Sequence, residues 1–193
     1  MGYAERESLN GVCGNCRRAF DEALVLDESA LLLNVLLKLN DARFGFVTVL
    51  GNVGGIITHA DLQKPPVRMW LFGLVTMIEL RFTELIERQL PQDDWKLYVS
   101  AARLEKAEAL LDERRRRNQA LRFFDCLQFS DKGQIVARNE ELRNLTVFAS
   151  RRTAEDAVKK IERLRNNLAH AQDIVTSDWG TIVELCEFVM RQL

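Results

Sequence analysis

The run Arg165-Asn166-Asn167-Leu168-Ala169-His170 puts a guanidinium, two carboxamides and one of the sequence's 2 histidines within six residues. The spacing predicts that it ends a helix beginning near Thr153. Asn166 and His170, four apart, then share one helix face. Arg165 lies on the neighbouring flank, roughly 100° round on a helix of about 3.6 residues per turn. These groups suit work on a phosphodiester. RNA carries a 2′-OH beside its scissile phosphate, and cleavage needs a base for that proton, a cation for the crowded phosphorane and an acid for the leaving oxygen. An imidazole titrates near neutral pH and serves as base or acid. Arg165 stays charged and can donate two hydrogen bonds to phosphate oxygens. Asn166 can orient the imidazole or a phosphate oxygen. The plain alternative is that His170 caps carbonyls and complements the helix dipole, with Arg165 and Asn166 as solvated surface.

The elements that must position these groups are read from the pattern. The chain has 193 residues, 47% hydrophobic and 28% charged, as expected of a globular protein of one large or two small domains. Lys+Arg number 27 against Asp+Glu 28, so the net charge is -1. A protein that coats nucleic acid indiscriminately would be more basic, so any RNA contact must be local. Residues 1–22 show no clear period and read as a tail or the remnant of an upstream region. A short strand at Ala23–Leu26 precedes a helix from Asp27-Glu28-Ser29 to about Asp41. Strands at Phe44–Leu50 and Val53–Thr58 pair across a Gly51-Asn52 turn. A short helix from Ala60 is stopped by Pro65-Pro66, which marks a domain boundary.

Beyond the prolines the pattern is helical. Val67–Leu90 is apolar nearly all round and reads as a buried central helix. Glu79 interrupts it and needs a partner, Arg165 or a polar group of another helix. Asp93-Asp94 opens a helix to about Arg116, and a third covers Asn118–Leu127. Ser130-Asp131-Lys132-Gly133 reads as a loop, followed by a short helix at Asn139–Phe148. Thr153-x-x-Asp156 resembles a capping box for the helix that carries Ala157, Ile161, Leu164 and Leu168 inward. The last helix shows an apolar stripe from Trp179 to Leu193. Arg114-Arg115-Arg116-Arg117 either complements a helix dipole in solvent or guides an RNA backbone.

Of the 4 cysteines, Cys126 and Cys186 fall in apolar patterns as small core residues. Cys13-Gly14-Asn15-Cys16 is a lone CxxC with no second pair to complete a zinc site, so no metal ligands are expected. A reducing, cytoplasmic setting is the simplest reading. The N-terminus lacks a secretory pattern, and the most apolar run, Trp70–Ile78, is too short to span a bilayer, so no membrane partner is expected.

Residues 23–64 read strand, helix, strand, strand, helix, and include Gly54-Gly55-Ile56-Ile57-Thr58-His59-Ala60-Asp61-Leu62. This segment resembles a cystathionine-β-synthase (CBS) motif, whose second hairpin strand runs into a Gly-apolar-apolar-Thr-x-x-Asp turn. The resemblance implies a cleft, built from paired motifs, that often holds an adenine nucleotide such as AMP or ATP. Asp61 would accept from ribose hydroxyls and Thr58 would contact ribose or phosphate. Only one motif is complete, so the cleft would form between two chains or with a second motif lying upstream. The alternative is that Asp61 caps the short helix and Thr58 finishes the strand.

Residues 67–193 resemble the HEPN superfamily of helical bundles. The likeness rests on Arg165-Asn166-x-x-x-His170 late in a helix that is followed by one more amphipathic helix. It implies a metal-independent RNA endonuclease, with two copies of the motif meeting across a homodimer. Some relatives carry a tyrosine two residues after the histidine as a modification site; here Gln172 stands there. The expected architecture is α+β, mostly α: a small CBS-like β-α-β-β-α module followed by a HEPN-like helical bundle. The expected function is an RNase of HEPN type that needs no cofactor for catalysis, cuts RNA to a 2′,3′-cyclic phosphate, and has an adenine nucleotide as effector. The competing reading is a non-catalytic nucleotide-sensing or dimerisation protein.

Overall fold

The computed structural model describes residues 2–192, and for Cys13 and Gln192 the backbone alone. Leu193, expected to end the last apolar stripe, lies outside the described residues. The fold is α+β and mostly α, and the chain divides into two compact units, Met1–Val67 and Arg68–Leu193.

In the first unit, β1 (Val25–Leu26), α1 (Leu32–Asp41), β2 (Phe44–Val49) and β3 (Asn52–Thr58) follow in order. The sheet runs β1-β2-β3, with β1 parallel and β3 antiparallel to β2. The hairpin turn is Leu50-Gly51, one residue before the expected one. Both have positive φ, 52° and 77°, the handedness that matches strand twist in a two-residue loop. Val35, Leu36 and Leu39 of α1 are buried, and Leu36 is fully enclosed.

Residues expected to be a tail are packed instead. Tyr3 and Arg18 exchange backbone hydrogen bonds of 3.0 and 2.8 Å. The Tyr3 and Phe20 rings lie 4.8 and 4.7 Å from that of Phe46, which Phe44 also meets at 5.3 Å. Four aromatic side chains on one sheet face recover enough apolar surface to hold a segment that has no period of its own. The short helix expected from Ala60 is a 3-10 turn, His59–Gln63. His59 Nε2 donates to the Leu39 carbonyl over 2.9 Å and ties this turn to the end of α1.

The proline pair follows the end of the 3-10 turn at Gln63, as expected, and also begins the next helix. Pro65 opens α2 (Pro65–Gln89), where a missing N–H costs nothing because first-turn donors have no helical partner. In the second unit α2 is followed by α3 (Ala101–Arg116), α4 (Phe129–Arg138), α5 (Glu140–Asn144), α6 (Arg151–Ala169) and α7 (Val175–Gln192). The helix expected from Asp94 to Arg116 is broken. Asp94–Tyr98 is a 3-10 turn that buries Trp95 against Phe123 and Phe124, and α3 starts after Ser100. The helix expected over Asn118–Leu127 shrinks to a 3-10 turn at Phe123–Cys126. Asn118 sits at φ 57°, and the Gln119 and Asn118 amides bond back to the Arg114 and Arg115 carbonyls, which closes α3.

The expected loop at Ser130–Gly133 is the first turn of α4. Asp131 accepts from the Arg103 guanidinium at 3.0 and 2.7 Å, and Lys132 reaches Glu79 at 2.9 Å. Asp131 and Lys132 are buried, so these pairs lock α3 and α2 to α4. Gly133 completes the turn: a Cβ there would stand 2.4 Å from Val158 Cγ1, so its hydrogen lets α6 close on α4. The α6 helix starts at Arg151, two residues before the expected Thr153. Its box is Ser150 with Thr153, each side chain accepting from the other's backbone amide at 3.2 and 3.0 Å.

The central helix is buried on one side only. Leu71, Leu74, Val75, Ile78, Phe82 and Ile86 are enclosed, while Met69, Phe72, Met77 and Leu80 on the other side are exposed. No helix among the described residues is long and apolar enough to cross a membrane.

Candidate functional site

Arg165, Asn166 and His170 all lie exposed over the last turn of α6. Arg165 Nη1 donates to Asn166 Oδ1 at a long 3.4 Å, and Arg165 forms no ion pair among the described residues. His170 is the C-cap, and its backbone amide donates to the Asn166 carbonyl over 3.0 Å. Its imidazole is not walled in by apolar neighbours.

The helix end is finished by other groups. Arg68 near the start of α2 donates to the carbonyls of Asn167 at 2.8 Å, Leu168 at 3.2 Å and Gln172 at 2.8 Å. A cation at this end also opposes the negative pole of the helix. The side-chain capping that the sequence offered to His170 is supplied by Arg68, while His170 contributes its backbone amide at the C-cap. Ala171 follows in the left-handed region at φ 53°, and the Gln172 amide bonds to the Asn167 carbonyl over 2.9 Å. This is the usual reverse turn at a helix end, made with alanine where glycine avoids a strain of about 1–2 kcal/mol.

A buried carboxylate pins the same segment from α7. Asp178 accepts from Arg163 Nε at 2.9 Å, Asn167 Nδ2 at 2.7 Å and Ser177 Oγ at 2.8 Å. Its side chain is fully enclosed, so removing one donor would leave charge imperfectly paired. Asn167 is thus a positioning residue, turned inward while Asn166 faces water. Neither Arg68 nor Asp178 was singled out from the sequence. Asp178 had a signal, since it falls on the apolar stripe four residues before the buried Ile182, a place where a carboxylate must find donors. Arg68 had none.

Arg165 and Asn166 also border a cleft of about 450 Å³, with Glu79, Asp125, Gln128 and Glu162 in its walls. Two of these carboxylates are answered locally, Glu79 by Lys132 and Asp125 by Arg122. The Arg122 backbone and side chain hold the Asp125 carboxyl below its ordinary value. His170 is not among the residues of this cleft. Glu79 pairs with Lys132 and not with Arg165, the other partner open to it.

Comparison with family models, with curated proteins and with solved structures gave no match.

In the first unit, the side chain of Asp61 is committed to its own turn. Its Oδ2 accepts from the Thr58 amide at 2.7 Å and the Thr58 hydroxyl at 3.0 Å, and its Oδ1 meets Lys64 Nζ at 2.7 Å. These contacts, Lys64 foremost, lower its pKa. The capping role that the sequence left open for Asp61 is the one this geometry displays. A hollow of about 430 Å³ in the same unit is lined by Tyr3, Arg43, Phe44, Phe46 and Ile56 among others, and neither Thr58 nor Asp61 is part of its wall.

The cysteines separate by burial. Burial pushes the Cys186 thiol up to about 12 and the Cys126 thiol upward as well, so both stay protonated and inert. Cys16 Sγ lies 3.3 Å from the Asn10 amide, and the Cys13 side chain of the CxxC lies outside what is described. No group of three or more His, Cys, Asp or Glu is gathered for a metal among the described residues.

Proposed function

We propose that the end of α6 is the half-site of a metal-independent endoribonuclease, completed by a second protomer. One observation carries this reading. Arg165, Asn166 and His170 are held in solvent, without carboxylate partners among the described residues, on a helix end whose carbonyls Arg68 meets. Three polar groups freed from structural duty on a rigid mount are what binding a phosphodiester requires. In the reaction one imidazole takes the proton of the 2′-OH, whose oxygen attacks phosphorus. The P–O5′ bond breaks, the second imidazole protonates the leaving 5′-oxygen, and a 2′,3′-cyclic phosphate and a 5′-hydroxyl result. Arg165 neutralises the charge that gathers on the phosphorane, and Asn166 fixes an oxygen or the ring. An adenine nucleotide, AMP or ATP, is the effector at Thr58 and Asp61. It acts only in so far as it binds one arrangement of the protein better than another.

A second reading draws support from His170 standing outside the cleft that Arg165 and Asn166 border. In it the helix end holds phosphate without cutting, as a nucleotide-binding or interaction module. Labelled single-stranded RNA separates the two. Cleavage should persist in a metal chelator, vanish in His170→Ala and fall about 10²–10³-fold in Arg165→Ala, the loss typical of one transition-state donor. An all-deoxy strand should stay intact, and one with a single ribonucleotide should be cut there only. RNA that binds wild type but is never cut supports the second reading, and cutting that His170→Ala retains rejects the first.

A further inference from the structure

The bare side of α2 is an apolar feature that the site does not use. Met69 is 74% exposed, Leu80 64%, Met77 45% and Phe72 38%, and nothing lies within 4 Å of a Cβ placed on Gly73. Thr76 completes the face, and no exposed position from Met69 to Leu80 carries a charge. The order along this stripe reads the same from both ends: large at 69, large at 72, small at 73, small at 76, large at 77, large at 80.

We propose that this face is a dimer interface with a second copy of this chain, two α2 helices packing antiparallel about a two-fold axis between positions 74 and 75. In that register Met69 meets the partner's Leu80, Phe72 meets the partner's Met77, and Gly73 meets the partner's Thr76. Small residues at the axis let the helices close to the 8–10 Å of ordinary helix packing. Each contact occurs twice, as a two-fold interface demands. The knob has a hole to enter. Beside Leu80 lies an apolar groove of about 450 Å³ between α2 and α7, with Met77, Phe188 and Val189 in its walls, and Met69 of the partner falls opposite it.

Area and charge favour a second copy as the occupant. Side chains of this size offer on the order of 200 Å² each when fully bared. The bare fractions of Met69, Phe72, Met77 and Leu80 amount to about 440 Å² of apolar surface per protomer. That is over half of the ~800 Å² each partner brings to a stable interface, before any polar rim is counted. A helix that lies on a membrane carries unpaired Lys and Arg along its flanks. Here Arg81 and Arg88 both pair with Glu84, so neither guanidinium on this flank is left open for a lipid headgroup. The interface does not rest on the nuclease reading, since a chain that dimerises this way and cuts nothing leaves it intact.

Light scattering on the full chain during size exclusion tests both the dimer and its register. Wild type should run near twice 22.2 kDa at tens of micromolar. Met69→Lys and Leu80→Glu should each run near 22.2 kDa with unchanged helical circular dichroism. The double variant Met69→Lys/Leu80→Glu should dimerise again, because each lysine then faces a glutamate, and high salt should dissociate it. An equimolar mixture of the two single variants should also dimerise. A monomeric wild type, a dimer that ignores both single changes, or a double variant that stays monomeric would each overturn the proposal.

Discussion

Asp61 shows how one side chain can be read two ways. As a ligand it would accept from a ribose diol, and as a cap it spends both oxygens on Thr58 and Lys64. The two roles differ in their pH behaviour. Its pKa is lowered in the folded state, with the hydrogen bond from Lys64 as the largest cause. A depressed carboxyl contributes stability that is complete above its unfolded value of about 3.9 and is lost as pH falls through the folded value. Asp61→Asn should therefore cost about 1 kcal/mol at pH 7, in the range of a lost cap. The gap between variant and wild type should shrink as the pH of a denaturation series is taken from 5 to 2. If nucleotide also uses this carboxylate, AMP should raise the wild-type melting temperature and leave Asp61→Asn unmoved. An equal shift in both would remove Asp61 from the effector site.

At the scale of elements, the contact of α4 with α6 depends on Gly133. Alanine there gains about 1 kcal/mol of helix propensity. Its methyl group, however, would stand 2.4 and 2.7 Å from the two Val158 methyls. Overpacking of this kind costs roughly 1–3 kcal/mol, so Gly133→Ala should be destabilising by a melting measurement despite its better propensity. Val158→Ala in that background should recover part of the loss, a coupling that independent sites would not show. The same helix explains where the sequence could be read and where it could not. The hairpin and the C-terminal helix pair were legible because each exposes its period to one core, as with Ile161, Leu164 and Leu168 of α6, whereas the apolar far side of α2 hid which of its faces is buried. Ser130-Asp131-Lys132-Gly133 has the composition of a loop, yet it is a buried first turn. Its charges are satisfied by Arg103 and Glu79, 28 and 53 residues away. Local pattern cannot register partners at that distance. The same reason hid Arg68 and Asp178, while Arg165, Asn166 and His170, picked out by type and spacing, stand exposed at the end of α6.

For the whole molecule the decisive quantity is charge. With 27 basic and 28 acidic side chains there is no general field to draw in a polyanion, so any RNA binding must rest on a few placed cations. Two sources compete, Arg165 of each protomer and the run Arg114–Arg117 at the end of α3. Three members of that run have local engagements: Arg114 with Gln119 Oε1, Arg116 with the Asp112 carbonyl and Arg117 with Glu113. Counting the phosphates neutralised tells them apart. For single strands the logarithm of the binding constant falls with the logarithm of salt by about 0.7 for each phosphate contact. Two copies of Arg165 on one strand predict a slope of about −1.4, measured on RNA made uncleavable by 2′-deoxy substitution. Arg165→Gln should flatten it almost to zero, and Arg115→Gln/Arg116→Gln should leave it unchanged. A slope steeper than about −3, relaxed by the second pair of changes, would move the RNA path from the end of α6 to the end of α3. In that event the exposed Arg165 is surface, and the nuclease reading loses the cation it needs.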